Sequence, residues 1–185
     1  MSKGKLIIIS APSGCGKGTV VAALMKLRDN FRFSVSATTR NPRVGEVDGK
    51  DYFFVSNERF MEMVEENAFL EYAQYAECCY GTPIKGVEDM LGEGYNVLLD
   101  IEVQGAFQVK EKRPETLSIF LLPPSFEELE RRLVLRGKDS PEKIARRLEI
   151  ARTECALADR FDYQVVNDDL DTCVNRVLEI IESNK

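Results

Sequence analysis

Residues 5–19 read KLIIISAPSGCGKGT. The short apolar run at 5–10 is typical of a strand buried on both faces of a parallel sheet. Two turn glycines, Gly14 and Gly16, follow it, and a helical pattern begins near Lys17. Glycines let backbone N–H groups approach a phosphate, the start of a helix is electropositive, and a lysine adds a point charge. The stretch therefore predicts a strand, a phosphate-binding turn and a helix in succession.

The turn departs from the P-loop pattern G-x-x-x-x-G-K-[ST] at two positions. Ala11 replaces the first glycine, and Gly18 stands where a metal-binding hydroxyl is expected, with Thr19 one position later. Because Gly18 has no hydroxyl, we expect Mg²⁺ to be held mainly by phosphates and water. The residues predicted to bind ATP in the turn are Ser13, Gly14, Cys15, Gly16, Lys17, Gly18 and Thr19.

Further apolar runs alternate with helical patterns along the chain. They lie at 97–99, Leu117–Leu122 and 165–166. This alternation predicts an α/β fold with a largely parallel sheet. One run ends at Asp100, which is the position from which P-loop proteins hold Mg²⁺ directly or through water.

Three helix starts are predicted in the second half of the chain. Residues 125–128 read SFEE, a capping box, and Ser140-Pro141 combines an N-cap with a first-turn proline. The apolar pattern at 169–181 predicts an amphipathic helix at the end of the chain.

Residues 33–83 break the α/β rhythm. They contain strand-like pieces at 33–35, 52–55 and 70–75, with a helix near 57–66. We therefore predict a small mixed α+β insert at 33–83 in a core formed by 1–32 and 84–185. A lid is predicted at about 125–158, with Gly137-Lys138-Asp139 at its tip.

Composition excludes several classes of function. The 185 residues carry a net charge of −6, which argues against a nonspecific nucleic-acid binder. The chain has no histidine, so Ser-His and Cys-His catalysis are excluded. Its five cysteines form no CxxC pair, and no zinc site or disulfide framework is predicted. No apolar run approaches the roughly 20 residues of a membrane span, and the start lacks a signal-peptide core. We expect a cytoplasmic protein without nucleic-acid or membrane partners.

A phosphate-monoester pocket is predicted around Arg40 and Arg43. Pro42 prevents a regular helix between them, and Tyr52 offers a phenolic donor nearby. Arginine forks suit a dianionic phosphate. Taken alone, the segment favours a solvated basic loop over a phosphate pocket.

The sequence resembles the guanylate kinase family over essentially its whole length. Residues 36–54 read SATTRNPRVGEVDGKDYFF and match the most specific block of that family. Other matching motifs follow in order: FLEYAQY at Phe69–Tyr75, YGT at 80–82, LDIEVQG at 99–105, PPS at 123–125, RG at 136–137 and VNDDL at 166–170. Many family members have aspartate where this chain has Glu102.

The resemblance implies a P-loop NTPase three-layer core with a mainly parallel five-stranded sheet, a GMP-binding insert and a helical lid. It implies direct in-line transfer of the γ-phosphoryl group of ATP to GMP or dGMP, with Mg²⁺. The implied GMP-binding residues are Ser36, Arg40, Arg43, Tyr52, Glu71, Tyr80, Thr82 and Asp100. The implied ATP-binding residues beyond the turn are Arg132, Arg136, Asn167 and Asp168. The implied catalytic residues are Lys17, Arg40, Arg136 and Arg147, and Asp100 is the implied metal ligand, directly or through water.

The assignment of Glu71 to guanine also follows from chemistry. Guanine presents two adjacent donors, N1–H and N2–H₂, and one carboxylate accepts both, whereas adenine would leave Glu71 unpaired. Two alternatives remain at this point. A guanylate-kinase-like module would bind a protein peptide, and a related kinase would phosphorylate another monophosphate or a sugar phosphate. Monomer and homo-oligomer are both left open.

Overall fold

The computed structural model describes residues 3–75, 77–135, 137 and 140–184. The strands in those residues are β1 (Leu6–Ser10), β2 (Phe31–Phe33), β3 (Ala37–Thr38), β4 (Phe53–Phe54), β5 (Phe69–Tyr75), β6 (Cys78–Pro83), β7 (Asn96–Asp100), β8 (Leu117–Leu122) and β9 (Tyr163–Val166). The α-helices are α1 (Lys17–Leu27), α2 (Asn57–Glu65), α3 (Ile84–Gly92), α4 (Val103–Lys112), α5 (Phe126–Leu135), α6 (Pro141–Cys155) and α7 (Leu170–Ser183). None of the helices formed by these residues is both long and apolar enough to cross a bilayer.

The described residues fall into two compact units. The first unit comprises residues 3–6, 30–97 and 104–116, and the second comprises 7–29, 98–103 and 117–184. The division predicted from the sequence, with an insert at 33–83, stays a prediction.

A five-stranded sheet has the order β2-β7-β1-β8-β9. β8 runs parallel to both β1 and β9, with Ile9 opposite Ile119 and Leu121 opposite Val165. The central strands are apolar along their length because both faces are covered, and Ile9 and Ile119 are fully buried. All four apolar runs of the sequence lie in this sheet, so the predicted α/β fold class is confirmed.

A four-stranded sheet with the order β4-β3-β6-β5 lies in the first unit. β3 runs parallel to β4 and antiparallel to β6, which also pairs with β5 in antiparallel fashion. Its core contains Ala37, Phe60 and Phe69, with the two phenyl rings stacked at 4.6 Å.

The strand predicted at 33–35 is β2 of the five-stranded sheet. It begins and ends two residues earlier than predicted, because Phe31 is the buried residue.

Strand β6 was not predicted, because Gly81 and Pro83 are depleted in strands. Its glycine is required by packing. A Cβ at Gly81 would lie 2.9 Å from the Phe69 ring, so a larger residue would push these two strands apart.

The helix starts in the second unit follow the predicted caps. The Ser125 and Ser140 hydroxyls accept hydrogen bonds from the backbone N–H of Glu128 and Lys143, and Asp169 caps α7 in the same way. The N-caps predicted at Ser125 and Ser140 are confirmed, and the closing helix predicted from residue 169 has Asp169 as its N-cap. The Glu128 carboxylate, predicted to complete a capping box, instead accepts hydrogen bonds from Arg131 and Arg132. Helices α5 and α6 pack on each other through Leu129, Leu133, Ile144 and Ala151.

Candidate active site

The turn between β1 and α1 has the backbone that phosphate binding requires. Gly14 and Gly16 have φ angles of 93° and 89°, in the left-handed region that favours glycine. Gly16 is the N-cap of α1, and no side chain of the described residues caps this helix. The start of α1 therefore presents its positive end without a side-chain acceptor, which suits an anion.

The turn is held from beneath by a buried amide. Asn167 is 5% exposed, and its Nδ2 donates to the Cys15 carbonyl at 2.7 Å. A Cβ at Gly16 would lie 2.9 Å from that Nδ2, so the glycine also makes room for the support. Arg132 in turn donates to the Asn167 carbonyl at 3.0 Å. The amide of Asn167 thus braces the main chain of the turn, a role that its sequence position does not reveal.

Cys15 can serve a ligand only through its main chain. Its thiol is fully buried and donates to the Leu121 carbonyl at 3.6 Å. Burial raises the pKa of the Cys15 thiol to about 12, so it stays protonated and unreactive at neutral pH.

Two predicted site residues, Lys17 and Asp100, form an ion pair. Lys17 Nζ lies 2.5 Å from Asp100 Oδ1 and 3.2 Å from the Ile101 carbonyl oxygen. The first turn of α1 and the end of β7 thereby place a cation and a carboxylate beside the phosphate-binding turn. Among the described residues no cluster of three or more metal-ligating side chains occurs. The oxygen donors of Asp100 fit Mg²⁺ as one ligand in a site that phosphates and water complete.

A cavity of about 400 Å³ opens beside the turn. It is lined by Gly14, Gly16, Thr19, Arg132, Leu135, Asn167, Asp168 and Leu170. Leu135 is 70% exposed and gives this wall an accessible apolar surface. Glu128 fixes the neighbouring Arg132, whose Nε donates to Glu128 at 2.8 Å. The cavity combines a cation, backbone N–H groups and apolar walls, which suits a nucleotide.

Glu154 in α6 is electrostatically coupled to the residues around the turn. Burial and the charge of Glu102 raise the pKa of the Glu154 carboxyl to about 7, and Lys17 opposes the shift. Between pH 4.5 and 7 the folded chain therefore holds a proton that the unfolded chain has lost. Stability falls as the pH rises through this window.

We expect Glu154→Gln to raise the melting temperature at pH 8 and to change it little at pH 5. The neutral amide removes a buried charge whose cost, reduced for partial exposure, is about 1–2 kcal/mol, which corresponds to about 2–8 °C. Differential scanning calorimetry at both pH values measures this. Glu149→Gln, on an exposed position of the same helix, is the control. Equal shifts of Glu154→Gln at pH 5 and pH 8 would contradict the assignment.

In the first unit, Arg40 is held by a carboxylate that sequence reasoning gave no role. Arg40 Nη1 and Nη2 donate to the two oxygens of Glu46 at 3.0 and 2.8 Å, and the backbone N–H of Arg43 donates to Glu46 at 2.7 Å. The hydrogen bond with Glu46 raises the pKa of Arg40 above its ordinary value. The only sequence signal is the glutamate of the block at 36–54. Glu46 therefore fixes the loop that carries both predicted phosphate-binding arginines.

Two tyrosines complete this cluster. The Arg40 guanidinium lies 5.4 Å from the Tyr52 ring centre, and the Tyr52 and Tyr80 rings are 6.1 Å apart. Arg40, Tyr52 and Tyr80 are thus brought together by the structure, as a phosphate pocket requires. Arg43 is exposed in the same loop.

Glu71 is a buried carboxylate, 7% exposed. The Thr82 hydroxyl donates to its Oε1 at 2.5 Å. Tyr80 and Thr82 are two residues apart on β6, so their side chains project from the same face, roughly 7 Å apart. One strand face therefore contributes to both the phosphate cluster and the Glu71 pair.

The remaining predicted residues have the following positions. Ser36 is half-buried, and its carbonyl accepts from the Phe53 N–H at 2.9 Å. Ser13 and Gly18 are exposed, and Arg147 is half-buried in α6. Arg136 lies outside the described residues, as do Lys138 and Asp139 of the predicted lid tip. The functional roles of all these residues stay predictions.

Comparison with known proteins identifies the family. The family profile described as guanylate kinase matches residues 3–184. The guanylate kinase of Prochlorococcus marinus subsp. pastoris is 52% identical over 179 residues, which cover 97% of each chain. That of Lactococcus lactis is 52% identical over 181 residues, covering 98% of this chain and 88% of the relative. The crystal structure of guanylate kinase from Anaplasma phagocytophilum superposes with a TM-score of 0.76 at 37% identity, covering 98% of this chain and 86% of that chain. The strand, turn and helix at the phosphate site and these full-length matches agree, and the chain belongs to the guanylate kinase family.

Proposed function

We propose that this guanylate kinase family member transfers the γ-phosphoryl group of ATP to GMP, with ATP bound by the second unit and GMP by the first. The observation that carries the acceptor assignment is Glu71. This carboxylate is 7% exposed and is held by the Thr82 hydroxyl, and as an acceptor-only group it recognises a ligand edge that presents hydrogen-bond donors. Guanine supplies two such donors on one edge.

The triphosphate binds the glycine turn and the start of α1. Backbone N–H groups of the turn and the Lys17 ammonium meet its β- and γ-phosphates. The adenosine lies in the cavity beside the turn, where Leu135 and Leu170 offer apolar surface and Asp168 and Arg132 offer polar groups. Arg147, and Arg136 outside the described residues, are proposed to add charge at the phosphates.

The GMP phosphate binds Arg40, Arg43, Tyr52 and Tyr80. Arg40 and the two tyrosines are already assembled, so little side-chain entropy is lost when the phosphate binds. The guanine is read by Glu71 and Thr82, with Ser36 proposed as a further polar partner. dGMP carries the same base and phosphate, and we propose that it is also accepted.

Phosphoryl transfer needs alignment and charge neutralisation more than covalent participation by the protein. A GMP phosphate oxygen attacks the γ-phosphorus in line, and ADP leaves on the opposite side. Lys17 and the arginines stabilise the charge on the transferring group. Asp100 would hold Mg²⁺ directly or through water, and the ion would supply positive charge at the phosphates of ATP. No covalent enzyme intermediate is proposed.

We also propose that the protein acts in the cytoplasm. All five cysteines are free thiols, which suits a reducing compartment.

A coupled assay with ATP and a panel of AMP, CMP, UMP, GMP and dGMP tests the proposal. We expect turnover with GMP and dGMP, and turnover lower by several orders of magnitude with the other three. Equal turnover across the purines would contradict the guanine assignment. Absence of turnover with every acceptor would favour an interaction module.

We expect Arg40→Lys to weaken GMP binding roughly tenfold or more, because lysine cannot reproduce the planar fork that Glu46 orients. Isothermal titration with GMP, and with ADP as the second ligand, measures this. Arg59→Lys is the matched control, since Arg59 pairs with Glu62 on an exposed face of the same unit. Unchanged GMP affinity in Arg40→Lys would remove Arg40 from the phosphate site.

A further inference from the structure

Gly105, the third residue of α4, lies against the carboxylate of Glu71. A Cβ at Gly105 would lie 2.8 Å from Glu71 Oε2, 3.3 Å from its Cδ and 3.4 Å from its Cγ. The whole end of the Glu71 side chain therefore borders the space above this glycine. Both residues belong to the first unit.

The carboxylate has little room to withdraw. Glu71 is 7% exposed, and its Oε1 is fixed by the Thr82 hydroxyl at 2.5 Å. Strand β5 is also tied to α4 on both sides of Glu71. The Gln108 amide exchanges two hydrogen bonds with the backbone of Tyr72, at 3.1 and 3.0 Å, and Lys112 donates to the Phe69 carbonyl at 2.8 Å. An added methyl group would have to displace the carboxylate itself.

The positive end of α4 also favours this position of the Glu71 carboxylate. The first turn of α4 contains no acidic residue. The Glu71 carboxylate, brought in from β5, lies at that turn and complements the positive end of the helix. Gly105 permits this close approach.

We infer that Gly105 is a specificity-determining position, because its missing side chain seats the Glu71 carboxylate in the orientation that reads guanine. This inference rests on the proposed function of Glu71. The backbone at Gly105 does not itself require glycine, since its φ is not in the left-handed region. Alanine is also the better helix former. Any loss in Gly105→Ala must therefore arise from the contact with Glu71.

The test is a double-mutant cycle read by titration of GMP and of ADP. We expect Gly105→Ala to weaken GMP binding roughly 10- to 100-fold, within the range of a lost bidentate base contact. ADP binding should stay within threefold. In the Glu71→Ala background, Gly105→Ala should cause no further loss of GMP affinity, because the carboxylate that it displaces is absent.

Gly86→Ala is the matched control. Gly86 is the third residue of α3 in the same unit, and no atom of the described residues would lie within 4 Å of a Cβ at this position. This variant should bind GMP and ADP as the unmodified chain does. An unchanged GMP affinity in Gly105→Ala, or an equal loss in the Glu71→Ala background, would overturn the inference.

Three further outcomes are informative. If Gly105→Ala fails to fold, Gly105→Ala/Glu71→Ala should recover a cooperative melting transition, and failure to recover it overturns the inference. If Glu71→Ala binds GMP normally, the proposed base contact is wrong. If Glu71→Ala loses GMP affinity but Gly105→Ala does not, only the role of Gly105 is wrong.

Discussion

Lys17→Met is expected to reduce turnover by roughly 100- to 1,000-fold or more while leaving GMP affinity within about threefold. Lys17 Nζ lies 2.5 Å from Asp100 Oδ1 at the start of α1, beside the glycine turn. Methionine preserves the length and apolar stem of the side chain but removes the positive charge. The transferring phosphoryl group then loses a cation, and Asp100 loses its partner.

The expected change lies in kcat and in ATP affinity. Steady-state kinetics with ATP and GMP, combined with GMP titration in the absence of ATP, separates the two effects. Lys26→Met is the control, because Lys26 is an exposed lysine in the last turn of the same helix. Its removal should cost at most a few tenths of a kcal/mol from the helix dipole. Turnover of Lys17→Met within tenfold of the unmodified chain would show that Lys17 does not stabilise the transferring group.

The central sheet was predictable because its signals are local. Apolar runs such as Leu117–Leu122 coincide with the strand that forms, here β8. Caps at Ser125, Ser140 and Asp169 mark helix starts because a short polar side chain satisfies an otherwise unpaired N–H. The short strands of the first unit carry a weaker local sequence signal. β3 and β4 contain two residues each, too few for an alternating pattern.

The residues of the candidate site likewise fall into those that a local pattern predicts and those that depend on distant contacts. Lys17 and the turn glycines were predictable from their spacing, because the chemistry resides in one contiguous segment. Asn167 braces Cys15 across 152 positions of sequence, and no local pattern encodes that contact. Glu46 contacts Arg40 six positions away in a loop containing Pro42, where no helical period applies. Contacts of this kind depend on the completed fold.

Glu71→Gln is expected to weaken GMP binding roughly 10- to 100-fold and to leave ATP binding within about threefold. Glutamine is nearly isosteric with glutamate, and its carbonyl oxygen still accepts from the Thr82 hydroxyl. Its NH₂ group is a donor, however, and would face the N1–H and N2–H₂ donors of guanine. The variant thus replaces the attraction between the carboxylate and the guanine donors by a repulsion between the glutamine NH₂ group and those donors. It does so without opening a cavity.

The base dependence of the loss identifies its cause. IMP lacks the 2-amino group, so it makes only one of the two hydrogen bonds to the carboxylate. Glu71→Gln should therefore weaken GMP binding more than IMP binding, and the preference for GMP over IMP should shrink. Glu65→Gln, at an exposed glutamate of α2 in the same unit, should change neither affinity. Equal losses for GMP, IMP and ATP would mean that Glu71 stabilises the fold instead of reading the base, because a structural defect does not depend on the substituent at C2 of the purine.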